Sequence, residues 1–362
     1  MSEEMDLVEN RSEIVFVYDA ERTNPNGNPM SSTNEPRIDK RTGHAIVTDV
    51  RLKRYIRDQL LEMGHNIYIR NTDSTEGSLE RDELLEKTIG NTDRVQEILR
   101  NAGDEDSEVS VNDAVQEVKD MFLSNSMDAR LFGATISVNG DDSNSYQLMD
   151  ALNDLGSLTG PVQFSPAMSL NSPVQLNEEY DSLTSVISTS DGDGGGFDLD
   201  DSRLKYAVFP FHGVVNENAA ENTHLTKTDI DQLDVSVWKS LKNQTITRSK
   251  VGQEPRLYLR VEYTQDDFHI GDLHNSLSFG EATPEMEDLR SGYEVCLDIT
   301  ELVSVLESHT EKIETVYVKA SDVFDYQYNE DIGGEEFVYE TLLENLGEET
   351  VDELEIYSGD NN

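Results

Sequence analysis

The sequence predicts a mixed α+β fold. Three observations carry this reading. Short runs of strand length occur at residues 13–18 (EIVFVY) and 256–263 (RLYLRVEY), the second strictly alternating. Helical periodicity follows Thr48 and recurs over residues 226–243. No apolar run approaches the ~20 residues needed to span a bilayer. At 362 residues the chain accommodates one large domain with insertions or two domains, and either can bury a sizeable core.

The charge balance is extreme. Asp and Glu total 74 against 28 Lys and Arg, for a formal net charge of -46 with 36% hydrophobic residues. Such a balance fits disorder, a basic partner or life in concentrated salt. The acids are spread along the chain among well-patterned segments, which favours a high-salt cytoplasm. The single cysteine, Cys296, allows no disulfide framework within the chain and reads as a small buried hydrophobe in a reducing interior. The N-terminus (MSEEMDLVEN) is acidic rather than signal-like, consistent with a cytoplasmic protein.

Taken in order, residues 1–10 carry four acids and no base and are expected to form a loose tail. The strand at 13–18 leads into NPNGNP (24–29), whose prolines, Gly27 and asparagines predict a tight turn with its amides free to point outward, Gly27 permitting positive φ. Thr48 caps the next helix, with Asp49 favourable in its first turn. Leu52, Tyr55, Ile56, Gln59, Leu60 and Met63 fall on one side and Lys53, Arg54 and Arg57 on the other, so the helix is predicted apolar inward and cationic outward. Gly64 closes it, and NIYIR (66–70) reads as a second strand. Residues 78–124 read as two or three short helices, with Ser110 and Asp113 resembling a capping box. LFGATISV (131–138) and GPVQF (160–164) are strand candidates.

Residues 131–202 contain no Lys or Arg, so this region cannot hold phosphates by charge. Its Gly- and Asp-rich end, STSDGDGGGFDLD (188–200), reads as mobile and lacks the order of an EF-hand loop. A strand at 204–209 is expected to stop or bulge at Pro210. Residues 226–243 form a helix with Thr228 as cap and Ile230, Leu233, Val237, Trp238 and Leu241 inward. Strands follow at 293–299 and 313–318 with a helix between them. From Glu330 onward there are twelve acids and no basic residue, with apolar patches at 337–343 and 351–356 that could dock as short helices on an otherwise solvated tail.

Against this background two segments are basic. Residues 37–57 hold seven cations (Arg37, Lys40, Arg41, Arg51, Lys53, Arg54, Arg57) and two acids (Asp39, Asp49); residues 239–260 hold six (Lys239, Lys242, Arg248, Lys250, Arg256, Arg260) and one, Glu254. Thirteen of the 28 basic residues thus fall in 43 positions, a clustering that points to a bound anion. Within the second segment, Arg256, Tyr258, Arg260 and Glu262 share one face of the alternating strand, a basic and aromatic surface suited to nucleic acid if that sheet face is open.

The chemical alternatives are sparse. No Walker-type loop, zinc-ligand spacing or serine elbow occurs, and His269 and His274, five apart, read as structural. Asp19, Asp39 and Asp49 flank the basic loop and could hold a metal for phosphodiester hydrolysis. Neither a cofactor, nor a resident metal, nor a catalytic residue is expected.

NPNGNP, EPRIDKRTGHAIVTDVRLKRYIRD (35–58), DARLFGA (128–134), TGPVQF (159–164) and TRSKVGQEPRLYLRVEY (247–263) together resemble the backbone subunit of type I-B CRISPR surveillance (Cascade) complexes, the seventh Cas family of the Csh-two kind in the RAMP superfamily, over residues 13 to about 280. The acidity resembles a haloarchaeal version. The resemblance implies an antiparallel, modified RRM (ferredoxin-like) palm with a helical insertion and a protruding thumb. It divides the chain into an acidic tail (1–12), a first palm part (13–70), the insertion (71–127), palm-associated strands (128–164), the thumb and Gly-rich segment (165–202), a second palm part (203–325) and an acidic C-terminal segment (326–362).

It also implies a non-catalytic subunit that polymerises head to tail along the CRISPR RNA, contacts other Cascade subunits, meets target DNA through the guide and touches no membrane. Carried onto this chain, the ribose-phosphate contacts are Asn24, Asn26, Arg37, Arg51, Lys53, Arg54 and Arg57, with Arg248 and Lys250 as a second set. Thumb elements near residues 168–176 or the Gly-rich end are expected to wedge between bases. Related type III backbone subunits cleave RNA from a loop aspartate, which keeps a ribonuclease using Asp39 or Asp49 as the alternative.

Overall fold

A computed structural model of the chain describes residues 6–28, 30, 34–70, 88, 94, 97–98, 111–135, 157–176, 182–184, 197–199, 202–243, 250–285 and 288–357. The fold is mixed α and β, with sheets that are dominated by antiparallel pairing. The chain divides into two compact units, one built from residues 11–55, 164–214 and 237–362, the other from 1–10, 56–163 and 215–236.

The larger unit is organised by β1 (Ser12–Thr23), which lies between two other long strands. With β2 (Arg203–Val215), β3 (Gln253–Tyr263), β4 (Ile313–Ala320) and β5 (Val351–Glu353), the sheet order is β5-β4-β3-β1-β2. β1 and β3 are antiparallel, pairing Phe16 with Tyr258 and Val15 with Leu259. Ile14 to Tyr18 are wholly buried, so β1 is covered on both faces, which explains its near-continuous apolar run. On one face Val15, Val17, Leu257, Leu259 and Val261 join a core with Leu302, Leu306, Leu342 and Leu346, from the helices Thr300–Glu307 and Glu335–Leu346. On the other face aromatics pack: Phe16 lies 6.3 Å from Tyr258, and Tyr18 lies 5.3 Å from Phe209 and 6.0 Å from Phe211.

The face of β3 expected to be open is therefore closed. Tyr258 is buried against Phe16, and Arg260, 3% exposed, lies over the Tyr317 ring at 4.0 Å and pairs with Glu262 at 3.2 Å. Arg256 pairs with buried Asp19 at 2.9 Å, and the Tyr206 hydroxyl donates to the same carboxylate. Desolvation pushes Asp19 up to about 6 even though Arg256 and Tyr206 oppose it.

Other expectations also change. β2 runs through Pro210 to Val215, because an extended chain accommodates the fixed φ of proline and loses one donor only. Residues 351–353 form a strand, parallel to β4, rather than a helix. Cys296 is buried as expected, and burial pushes its thiol up to about 11.

The smaller unit is helical, with the strand pair Gly133–Thr135 and Ser157–Thr159. The helices Val111–Ser124 and Met127–Phe132 bury Val118, Phe122, Leu123 and Leu131. Residues 131–132 therefore end a helix instead of opening a strand, and 136–138 lie outside the described residues. Residues 66–70 form no strand. The N–H groups of Tyr68 and Ile69 donate instead to the buried Asp128 carboxylate, at 2.7 and 3.1 Å. The tail is not loose over residues 6–10, since Leu7 bridges Thr226 and the Val8 N–H donates to the Leu225 carbonyl. The helix Lys227–Lys242 is capped by Thr226, not Thr228. The Thr226 hydroxyl accepts the Asp229 N–H and the Asp229 carboxylate accepts the Thr226 N–H, a reciprocal capping box.

Candidate RNA interface

The candidate site is built on the loop between β1 and the helix α1 (Asp49–Glu62). The loop is a pair of short ladders: Gly27 bridges Pro36, the Asn28 N–H donates to the Glu35 carbonyl, and farther along Ile38 bridges Ala45. Gly27 has no positive φ. A Cβ there would meet the Asn34 side-chain amide, which would have to shift. The side-chain amides of Asn24 and Asn26, expected to point outward, are instead buried and hold the loop. Asn24 Nδ2 donates to the Asn34 carbonyl at 2.7 Å, and Asn26 Oδ1 accepts both the N–H and the hydroxyl of Thr48, at 2.9 and 3.0 Å.

Thr48 passes this order to the helix. Its hydroxyl accepts the Arg51 N–H at 3.3 Å, so it is the expected cap, and Asp49 lies in the first turn. Leu52, Tyr55, Ile56, Gln59 and Leu60 are buried as their spacing predicts, and Gly64, with φ +93°, ends the helix. The predicted cationic outer side is only partly outward. Lys53 is 9% exposed and pairs with Asp49 at 3.7 Å. Arg57 gives its Nε–H to Asp128 at 2.9 Å and lies over the Phe132 ring at 5.0 Å. Arg57 is covered by a segment more than 70 positions away, which helical periodicity cannot show. Arg51 and Arg54 are half-buried, and Arg51 lies over the Tyr55 ring at 5.5 Å.

The second basic segment reaches this loop through Lys250. Its ammonium donates to the Asn24 carbonyl, and burial, with Arg51 nearby, lowers Lys250 to about 7. Gln253 donates to the Lys250 carbonyl at 3.0 Å, and the Tyr55 hydroxyl donates to the Pro25 carbonyl at 3.2 Å. Asn24 Oδ1 and Gln253 Oε1 are buried acceptors without a hydrogen-bond partner among the described residues. Arg37, half-buried, gives its Nε–H to the Gly27 carbonyl at 3.4 Å.

Of the expected contact residues, Asn24, Asn26, Arg37, Arg51 and Lys250 thus belong to one connected arrangement. Lys53 and Arg54 lie on the adjoining helix, Arg57 is tied to Asp128, and Arg248 lies outside the described residues. Asp39 is on the loop, where the Arg41 N–H holds its carboxyl below the usual range.

The chain matches the family described as CRISPR-associated protein Cas7 over residues 10–300. It belongs to the Cas7 family. A Cas7 relative from Haloferax volcanii is 45% identical over 351 residues, which is 96% of each chain. Two solved chains, one from a CRISPR RNA-guided surveillance complex, pre-nicking, and one from a CRISPR RNA-guided surveillance complex, share 13% identity with TM-scores of 0.46 and 0.41. They cover 88% and 86% of this chain, and are themselves covered to 96% and 92%.

Sequence reasoning missed a groove of the larger unit. It encloses about 540 Å³ and mixes aromatic residues (Tyr293, Tyr357) with cations (Lys242, Arg256, Lys319) and acids (Glu21, Glu254, Asp322, Glu335), with Tyr293 80% exposed. Trp238, 4% exposed, is core, as its helical spacing predicts.

Proposed function

We propose that this Cas7 protein is the non-catalytic, crRNA-binding backbone subunit of a type I-B Cascade complex. In this reading it polymerises head to tail along the spacer RNA in the cytoplasm, beside other Cascade subunits, and presents the guide to target DNA. One observation carries the reading: the two cationic segments, far apart in sequence, come together at Lys250, which holds the Asn24 carbonyl of the loop and lies close enough to Arg51 to feel its charge. There Arg51 and Arg37, both half-buried, supply charge for phosphates. Head-to-tail contact suits a linear guide because heterologous interfaces that do not close make open filaments.

The sheet around β1 is read as the modified RRM palm. Met168 and Val174, both 45% exposed in the cation-free region, are read as thumb residues that wedge between bases by apolar contact. Purification from the host at high salt, followed by sequencing of co-purifying RNA, tests the assignment. Spacer-containing RNA is expected, and its absence overturns the assignment.

The alternative, metal-dependent RNA cleavage, draws on Asp39, whose depressed pKa keeps an ionised carboxylate on the loop. Asp49 is already committed to Lys53. An Asp39→Ala variant that loses a divalent-metal-dependent cleavage present in the wild type would establish the alternative; wild-type protein that leaves RNA intact dismisses it.

A further inference from the structure

On the far side of the sequence from the basic loop, three ligand-type side chains of the larger unit converge: His212 on β2, and Asp272 and His274 in the turn after β3. One ligand atom from each, a ring nitrogen or a carboxylate oxygen, lies within 4.8 Å of the others. The two imidazoles are nearly parallel, with ring centroids 5.3 Å apart and an interplanar angle of 16°. His274 Nδ1 is buried and has no hydrogen-bond partner among the described residues. A buried nitrogen lone pair or N–H without a partner costs stability, so it calls for an occupant.

We propose that His212, Asp272 and His274 form a binding site for a divalent transition-metal ion of the zinc class. Two imidazoles and one carboxylate are a borderline donor set, which selects zinc, nickel or copper over magnesium and calcium. Ligand atoms around a tetrahedral zinc lie about 3.3 Å apart, given bonds of ~2.0–2.1 Å, so small side-chain adjustments close the observed spacing. The fourth position belongs to water.

The surroundings of His212 resemble those of a metal-bound histidine. Its Nε2 meets Glu13 Oε1 at 2.7 Å. That carboxylate also accepts the Tyr263 hydroxyl and the N–H groups of Ile270 and Gly271. An ionised carboxylate on one nitrogen fixes the ring and raises the donor strength of the other, the outer-shell arrangement that metal-ligating histidines use.

Asp272 sits at φ +55° on the turn that precedes the short helix Leu273–Ser276, and Leu273 and Leu277 enter the main core. A metal would therefore tie this turn to β2. The site differs from the loop-aspartate chemistry considered for RNA cleavage, because none of its ligands lies on the basic loop.

The test uses the full chain in concentrated KCl, stripped with chelator and dialysed. Zinc alone is added and retained metal is counted, and cobalt(II) is then substituted as a visible probe. About one zinc per chain is expected, with a rise in unfolding temperature and the intense visible bands of four-coordinate cobalt. Asp272→Asn and His274→Gln are each expected to weaken zinc binding by at least about tenfold, the scale on which even outer-shell losses register.

Asparagine is at home in the left-handed conformation, so Asp272→Asn keeps the turn intact even if His274→Gln perturbs folding. The proposal is overturned if the wild type shows only octahedral cobalt, or if zinc is retained equally by both variants. The latter result would assign the metal to scattered surface carboxylates.

Discussion

Lys250 occupies a place that costs an ordinary lysine much of its basicity, since it is 8% exposed, bonded to a neutral carbonyl and near Arg51. Its pKa falls from 10.5 to about 7. The unfolded chain holds the proton across that window and the folded chain does not, so the penalty on folding fades as pH rises from about 7 toward 10. A phosphate brought beside Lys250 works in the other direction and restores the ammonium, so binding takes up a proton. RNA affinity is therefore expected to fall as pH rises above about 7, and calorimetry in buffers of different ionisation enthalpy should register the proton. Lys250→Met should remove this pH dependence; a pH dependence that persists in the variant contradicts it.

Asn26 and Arg51 separate order from charge. Asn26→Ala removes the acceptor that holds Thr48 without changing charge, and is expected to weaken RNA binding while leaving its salt slope unchanged. Arg51→Ala should lower that slope by ~0.7, the value for one phosphate contact on a single strand. Filter binding across a KCl series reads both effects.

At the scale of elements, Asp128 joins three segments: it accepts from Tyr68 N–H, Ile69 N–H and Arg57 Nε while wholly buried. Asp128→Ala would leave two backbone donors and a guanidinium without their acceptor, and is expected to destabilise the protein by about 3–5 kcal/mol in denaturant titrations. A loss under about 1 kcal/mol would mean that water replaces the carboxylate.

This residue also marks where the sequence stops being legible. Helix α1 can be read from Thr48, the apolar spacing and Gly64, because capping and periodicity are local. Its outer face cannot, because whether Arg57 meets solvent or Asp128 depends on a partner 71 positions away. The same limit misassigned NIYIR, whose β-rich composition suits a strand but whose N–H groups are taken by Asp128 rather than by a neighbouring strand. The alternation of β3 was legible as a strand, while the burial of Arg260 under Tyr317 was not, since one strand's pattern says nothing about what covers its second face. In the candidate site the clustering of cations pointed to the loop and to Lys250, but charge counts carry no sign that Lys53 and Lys250 are buried.

The whole molecule carries a net charge of -46 and offers its candidate RNA site as a local exception. At low ionic strength the field of the acidic body extends over a Debye length of ~10 Å at 0.1 M salt, where it repels RNA and strains the fold by self-repulsion. At 1 M the length falls to ~3 Å, and this long-range repulsion vanishes while cation-phosphate pairs at contact distance persist. An ordinary nucleic-acid-binding protein loses affinity steadily as salt rises, because bound counterions are released less favourably. Here two terms of opposite sign compete. Unfolding temperature is expected to rise between 0.1 and 1 M KCl, and RNA affinity to rise or hold level over the same range before the phosphate term prevails at higher salt. Thermal unfolding and RNA binding along one KCl series, with unfolded protein excluded from the binding data, measure the two terms separately. A steep decline in affinity from 0.1 M onward would show that the local cations act as they do on a neutral protein and that the acidic body contributes nothing to recognition.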